Sequence, residues 1–119
     1  MTNEDAFPII SVNDLTPVRG FYEQLGFRQA YQHPPEGEPA YVNLERGHSA
    51  LGIGAGGDVD VDRFALWVYV EDVDGVVEQL RAAGARILAE PEDQPWGERM
   101  ARVRDPAGNL VYLATVSAS

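Results

Sequence analysis

The sequence predicts an α+β chain of two consecutive βαβββ modules, each a small sheet with one helix on its outer face. Three observations predict it. Segments of strand-like alternation and of helical spacing follow the same order twice. SVNDL at 11–15 returns as YVEDV at 69–73, and the same shift carries Gly26 onto Gly84 and Phe27-Arg28 onto Ala85-Arg86. Each helical segment also stops on one of those glycines, the usual C-terminal signal. The repeat divides a single domain, 1–119, into a first module at 6–54, an acidic Gly-rich linker at 55–62 and a second module at 63–116.

The elements follow in order. Ala6 to Val12 is apolar and partly β-branched and reads as a strand. Asn13-Asp14 is a helix-cap signal, and Pro17 falls in the first turn, where a missing N–H is tolerated. Leu15, Val18, Phe21, Tyr22 and Leu25 then recur at helical spacing up to Gly26. Phe27 to Gln32 reads as a strand, and the three prolines of 33–39 make a loop. Tyr41 to Glu45 and Ser49 to Ile53 form a hairpin around Arg46-Gly47-His48. In the second half Phe64 to Val70 is a strand. Asp72 caps a helix with Val73, Val76, Val77 and Leu80, which ends at Gly84. Arg86 to Ala89 is a short strand and Glu90 to Gly97 a Pro-rich loop. Arg99 to Arg104 and Asn109 to Thr115 form a hairpin around Asp105-Pro-Ala-Gly108.

Alternation assigns the strand faces. Leu66, Val68 and Val70 suit packing under a helix, which leaves Ala65, Trp67 and Tyr69 on the other side. Val111 and Leu113 share one face, and Leu110, Tyr112 and Ala114 the other. Phe7, Ile9 and Ser11 oppose Pro8, Ile10 and Val12. The second face of each sheet therefore needs a cover, and an aromatic-rich one suits a partly open cavity.

Composition removes several function classes. The 119 residues carry 19 acidic and 9 basic side chains, all of the latter arginine, for a net charge of −10. Such a balance argues against nucleic acid, which needs a basic footprint, and suits either a cationic ligand or plain solubility. Without cysteine there is no disulfide, thiol nucleophile or thiolate metal site, and without lysine no Schiff base. The acidic start, MTNEDAF, has no apolar core, and no apolar run approaches the ~20 residues of a membrane span. A cytoplasmic protein without membrane contact is expected. Gly52-Ile-Gly-Ala-Gly-Gly57 matches a phosphate-loop pattern by letter, but Asp58-Val-Asp-Val-Asp62 follows where a helix should open. That acidic run also lacks the glycine and final glutamate of a calcium loop.

Three stretches carry a family resemblance: SVNDLTPVRGFYEQLGF (11–27), ALWVYVEDVDGVVEQLRAAGA (65–85) and QPWGERMARVRDPAGNLVYL (94–113). Set in paired βαβββ modules, they resemble the vicinal oxygen chelate superfamily over about residues 6–115. That group includes glyoxalase I, extradiol dioxygenases, fosfomycin-resistance enzymes and bleomycin-resistance proteins. Gln94-Pro-Trp-Gly97, Arg104-Asp-Pro-Ala-Gly-Asn109 and Trp67 are most similar to the bleomycin-resistance branch. The resemblance implies concave mixed sheets with the helices outside. It also implies a divalent metal in the enzymes, held by two His or Glu ligands from each module. Carried over, those positions are Phe7, Gly52, Ala65 and Tyr112, which lack the ligand set such metals need. His33 lies in the Pro-rich loop and His48 at a hairpin tip, without acidic partners. No metal and no cofactor are therefore expected.

What remains is an aromatic surface. Trp67, Tyr69 and Tyr112 should line the second module's inner face, Trp96 lies on the loop before the last hairpin, and Tyr31 and Tyr41 flank the other long loop. Such side chains suit stacking on planar ligands and cation–π contact. Tyr69, Tyr112 and Trp96 suit core filling or a structural plug equally well. Trp67 is the foremost ligand contact, since strand face and resemblance agree. The resemblance implies a homodimer that sequesters a bleomycin-like or other planar cationic natural product in interfacial clefts. The alternative is a metal-independent isomerase, lyase or cyclase in which Glu98, Glu45 or Tyr112 is the general acid or base.

Overall fold

The computed structural model describes residues 6–56 and 59–116. Gly57 and Asp58 of the expected linker, and the ends of the expected single domain at 1–5 and 117–119, lie outside the described residues. The chain forms two compact units, one of Phe7–Phe64 and one from Ala65 onward that also takes in Ala6, so the first residues of two strands fall at the boundary. The first contains β1 (Ala6–Val12), α1 (Leu15–Glu23), β2 (Arg28–His33), β3 (Tyr41–Arg46) and β4 (Ser49–Ala55). The second contains β5 (Phe64–Tyr69), α2 (Val73–Ala82), β6 (Arg86–Asp93), β7 (Glu98–Arg104) and β8 (Leu110–Val116). Each unit is thus βαβββ, and the two sheets share one connectivity. In the first, β2-β3-β4 is an antiparallel run and β1 lies parallel to β4, with Ile9 opposite Gly52. In the second, β6-β7-β8 is antiparallel and β5 lies parallel to β8, with Trp67 opposite Tyr112. These are mixed α+β sheets.

Burial follows the predicted faces. Under α1, Leu15 packs with Val42, Leu44, Leu51 and Ile53, joined by Ile10 and Val12 of β1. Under α2, Val73 and Val77 pack with Ala101, Val103 and Leu113, joined by Val68, Val70 and Val111. Leu66 shares the face of Val68 but is 41% exposed. It precedes the stretch of β5 that α2 covers.

Both helices end alike. Gly26 and Gly84 take φ of 97° and 92°, where a side chain would be strained. Beside them, Phe27 N–H donates to Tyr22 C=O at 3.2 Å and Ala85 N–H to Leu80 C=O at 2.9 Å, the closing bond of a helix C-cap. The starts differ. Asp14 makes no side-chain cap, whereas Asp72 accepts from Gly75 N–H. Thr115 of β8 adds to the second start: its hydroxyl accepts from Val73 N–H at 3.0 Å and donates to Val70 C=O at 2.9 Å.

One strand is longer than the sequence predicts. β6 runs to Asp93 through Pro91, where a loop was expected from Glu90. It is the outer strand of its unit and pairs with β7 alone there, so a missing N–H is tolerated, and the register shifts between Ala89 and Glu92. The Asp105 turn forms as expected. Its carboxylate accepts from the backbone N–H of Ala107 and of Asn109, both at 2.9 Å, and from the Asn109 side chain. The Asn109 bonds hold its carboxyl below the usual range.

Candidate functional site

The face of the second sheet opposite α2 is built by register. Ala65, Trp67 and Tyr69 of β5 stand opposite Leu110, Tyr112 and Ala114 of β8. These in turn stand opposite Arg104, Arg102 and Met100 of β7. One row therefore reads Arg102-Tyr112-Trp67. The Trp67 and Tyr112 rings are stacked, with centroids 5.3 Å apart and planes 25° apart. Tyr69 meets Trp67 edge-on at 6.0 Å. All three rings are half-buried.

Glu98, the first residue of β7, closes one end of this patch. One carboxylate oxygen accepts from the Tyr69 hydroxyl at 2.6 Å, and the other from Trp96 Nε1 at 2.6 Å. A tight turn makes the second bond possible: Gly97 N–H donates to Gln94 C=O, and Gln94 N–H to Glu98 C=O at 2.7 Å. Trp96 is 46% exposed, yet its indole is anchored through Glu98. The second-module residues Trp67, Tyr69, Tyr112 and Trp96 are thus brought together. Sequence reading offered Glu98 only as a possible acid or base, because its link to Tyr69 spans β8 and depends on the cross-strand register. Arg102 and Met100 were missed, although plain alternation from Glu98 places both on this face.

The first-module pair is separate in kind. Tyr31 and Tyr41 have centroids 6.3 Å apart at 58°. Tyr31 is 48% exposed, whereas Tyr41 is half-buried and lies across β4. A Cβ at Gly52 would lie 2.4 Å from the Tyr41 hydroxyl oxygen and 2.9 Å from Cγ1 of Ile9. The buried Asn43 donates its side-chain N–H to that hydroxyl at 3.2 Å. Gly52 is therefore a seat for the Tyr41 ring. Gly52→Ala is expected to displace Tyr41, break the Asn43 bond and destabilise the chain by about 1–3 kcal/mol. Urea unfolding checks this, and an unchanged midpoint would contradict the packing described. A shallow, mainly apolar groove in this unit, bordered by Ile10, Val12, Tyr22, Val59 and Phe64, includes none of the sequence-predicted residues.

The implied metal positions do not fit a metal. Phe7 and Ala65 are buried hydrocarbon at 6% and 5% exposure. Gly52 offers no side chain, and the space above it is filled by the Tyr41 hydroxyl. Tyr112 offers one phenol, already stacked on Trp67. Among the described residues no three His, Asp or Glu side chains gather to hold an ion.

Four acidic groups elsewhere in the second unit, Asp74, Glu78, Glu90 and Asp93, are matched to arginine. Arg99, on the α2 side of β7, grips both oxygens of Asp74 at 2.8 and 3.0 Å and reaches Asp93 at 3.3 Å. The Arg99 bond holds the Asp74 carboxyl below its usual range and raises the guanidinium. Arg81 similarly pairs with Glu90 and Glu78. Glu98 differs: both its partners are neutral aromatic donors.

Comparison with known proteins places this geometry. A family model described as the Glyoxalase/Bleomycin resistance protein/Dioxygenase superfamily matches residues 6–113. Among solved structures, a superfamily member from Vibrio splendidus 12B01 is 18% identical, with a TM-score of 0.76 over 94% of this chain and 98% of that one. A protein described as an NAD-dependent benzaldehyde dehydrogenase, from Legionella pneumophila, is 16% identical, with a TM-score of 0.74 over 95% and 100%. A bleomycin resistance determinant encoded on the transposon Tn5 is 28% identical over 97% and 99%, with a TM-score of 0.44. No curated protein matches the chain. Among the described residues, no helix is long and apolar enough to cross a membrane.

Proposed function

The chain belongs to the glyoxalase/bleomycin resistance protein/dioxygenase superfamily, and on that premise we propose that it binds and sequesters a planar, cationic small molecule without using a metal. The stacked Trp67–Tyr112 pair carries this reading. It presents flat, polarisable area at a half-buried face, with Tyr69 and Trp96 beside it. Rings in that setting gain by stacking and, for a cation, by about 0.5–2 kcal/mol of cation–π attraction each. The net charge of −10 raises the encounter rate for a cation. Sequestration requires no acid, base or metal ligand, which suits the residues at Phe7, Gly52, Ala65 and Tyr112. The protein works in this reading as a homodimer whose two clefts are completed by the partner copy.

Trp67 and Trp96 are the only tryptophans in the chain, so intrinsic fluorescence reports this site directly. Titration with bleomycin and with other planar cationic antibiotics should quench or shift the emission with Kd below ~100 μM, about −5.5 kcal/mol. No saturable change below that concentration would overturn the reading, and a monomeric mass in solution would remove the dimeric cleft. The Tyr69–Glu98 pair favours a second reading, a metal-independent enzyme in which a carboxylate and a phenol relay a proton. Liquid chromatography coupled to mass spectrometry separates the two. A bound natural product recovered intact after prolonged incubation supports sequestration, and a changed mass or isomer supports catalysis.

A further inference from the structure

We propose that Glu98 is the residue that selects the charge of the guest, receiving a cationic nitrogen of a planar aromatic molecule seated on Trp67 and Tyr112. The proposal rests on the binding reading above and names the polar contact that reading leaves open. A carboxylate has about four acceptor sites. Glu98 uses two, on the Tyr69 hydroxyl and on Trp96 Nε1. Both donors are neutral, so they orient the group without cancelling its charge. Among the described residues Glu98 joins no ion pair, while its neighbour Arg99 turns to the other face and takes Asp74 and Asp93. A half-buried carboxylate among aromatic rings loses hydration that a cation would replace.

The rest of the face gives the site a direction. Arg102 stands beside Tyr112 in the same row, exposed and in no ion pair among the described residues. Four residues along β7 separate it from Glu98, about 13 Å at strand rise. The patch is therefore polar lengthwise, anionic at Glu98 and, two rows along, crossed by the row of Arg102, Tyr112 and Trp67, cationic at its Arg102 end. A planar guest with one positive nitrogen is steered towards Glu98 from both ends.

Two probes of one shape test this: N-methylacridinium, a permanent cation, and acridine, neutral at mildly alkaline pH. The readout is the ratio of their Kd values by fluorescence titration against the full chain. The wild type should prefer the cation by roughly tenfold or more, the scale of one hydrogen bond to a charged group. Glu98→Gln should reduce the ratio by about tenfold, and Glu98→Asp, which keeps the charge, should retain part of it. Arg102→Gln should move the ratio the opposite way, by a few-fold, since a like charge is removed. If Glu98→Gln fails to fold, the Arg102→Gln ratio decides, and an unchanged ratio overturns the proposal. Equal affinities of the wild type for both probes overturn it while leaving the binding reading intact. If neither probe binds, both the proposal and the binding reading are overturned.

Discussion

Truncating Leu44 to alanine is expected to lower the stability of the protein by about 2–5 kcal/mol, the range for a fully buried leucine. Leu44 is 0% exposed at the centre of β3, packed with Leu15, Val42, Leu51 and Ile53. Of its neighbours, Val42, Leu51 and Ile53 are strand residues on β3 and β4, each strand held by ladders on both sides, so they can move little into the space that three lost carbons would leave. The cavity then remains largely open, and the cost includes it as well as the lost transfer energy. For a unit this small, a loss of that size lowers the melting midpoint by roughly 10 °C or more. Urea unfolding followed by circular dichroism measures it. A loss below about 1 kcal/mol would mean that the first unit's core is not packed as described.

Trp67→Ala should have the largest effect on binding. The indole forms the stacked partner of Tyr112 and the edge partner of Tyr69. Its removal takes away half of the flat surface and frees both tyrosines to turn. Loss of one stacking platform costs about 1–3 kcal/mol, equivalent to roughly fivefold to more than a hundredfold in Kd. Trp96 remains as the fluorescent reporter, so a titration with N-methylacridinium still has a signal. Circular dichroism separates misfolding from lost contact. An unchanged Kd in a folded variant would remove Trp67 from the site and with it the main support for the binding reading.

The fold was legible because its punctuation is local. Gly26 and Gly84 mark helix ends through a backbone angle that few other residues tolerate, and alternation along β5 and β8 depends only on strand geometry. The repeat at 11–15 and 69–73 then made two weak patterns one strong one. What stayed hidden depends on register or on context. Pro91 reads as a strand breaker, and only its place on an outer strand makes it harmless. Tyr41 reads in the sequence as a loop-flanking contact, but its ring lies on Gly52, a fact set by which residue of β4 stands beside β3. At the candidate site the aromatic residues could be assigned to a face, whereas the Tyr69–Glu98–Trp96 bridge could not. It joins two separate stretches, Tyr69 and the turn at 96–98, through one carboxylate, and no spacing in the chain announces it.

The shared register of the two sheets has a consequence for how such a chain can change over generations. Ile9 beside Gly52 and Trp67 beside Tyr112 occupy equivalent backbone seats. One pair is small and aliphatic and covered by Tyr41, the other broad and aromatic, and the strand pairing beneath them is the same. Side chains on these seats point away from the helix-packed core, so exchanging them alters what the surface offers while leaving the hydrogen-bonded ladder in place. A chain of two such modules can vary its chemistry in one module while the other stays as it is. Ladder and chemistry are thus open to separate selection.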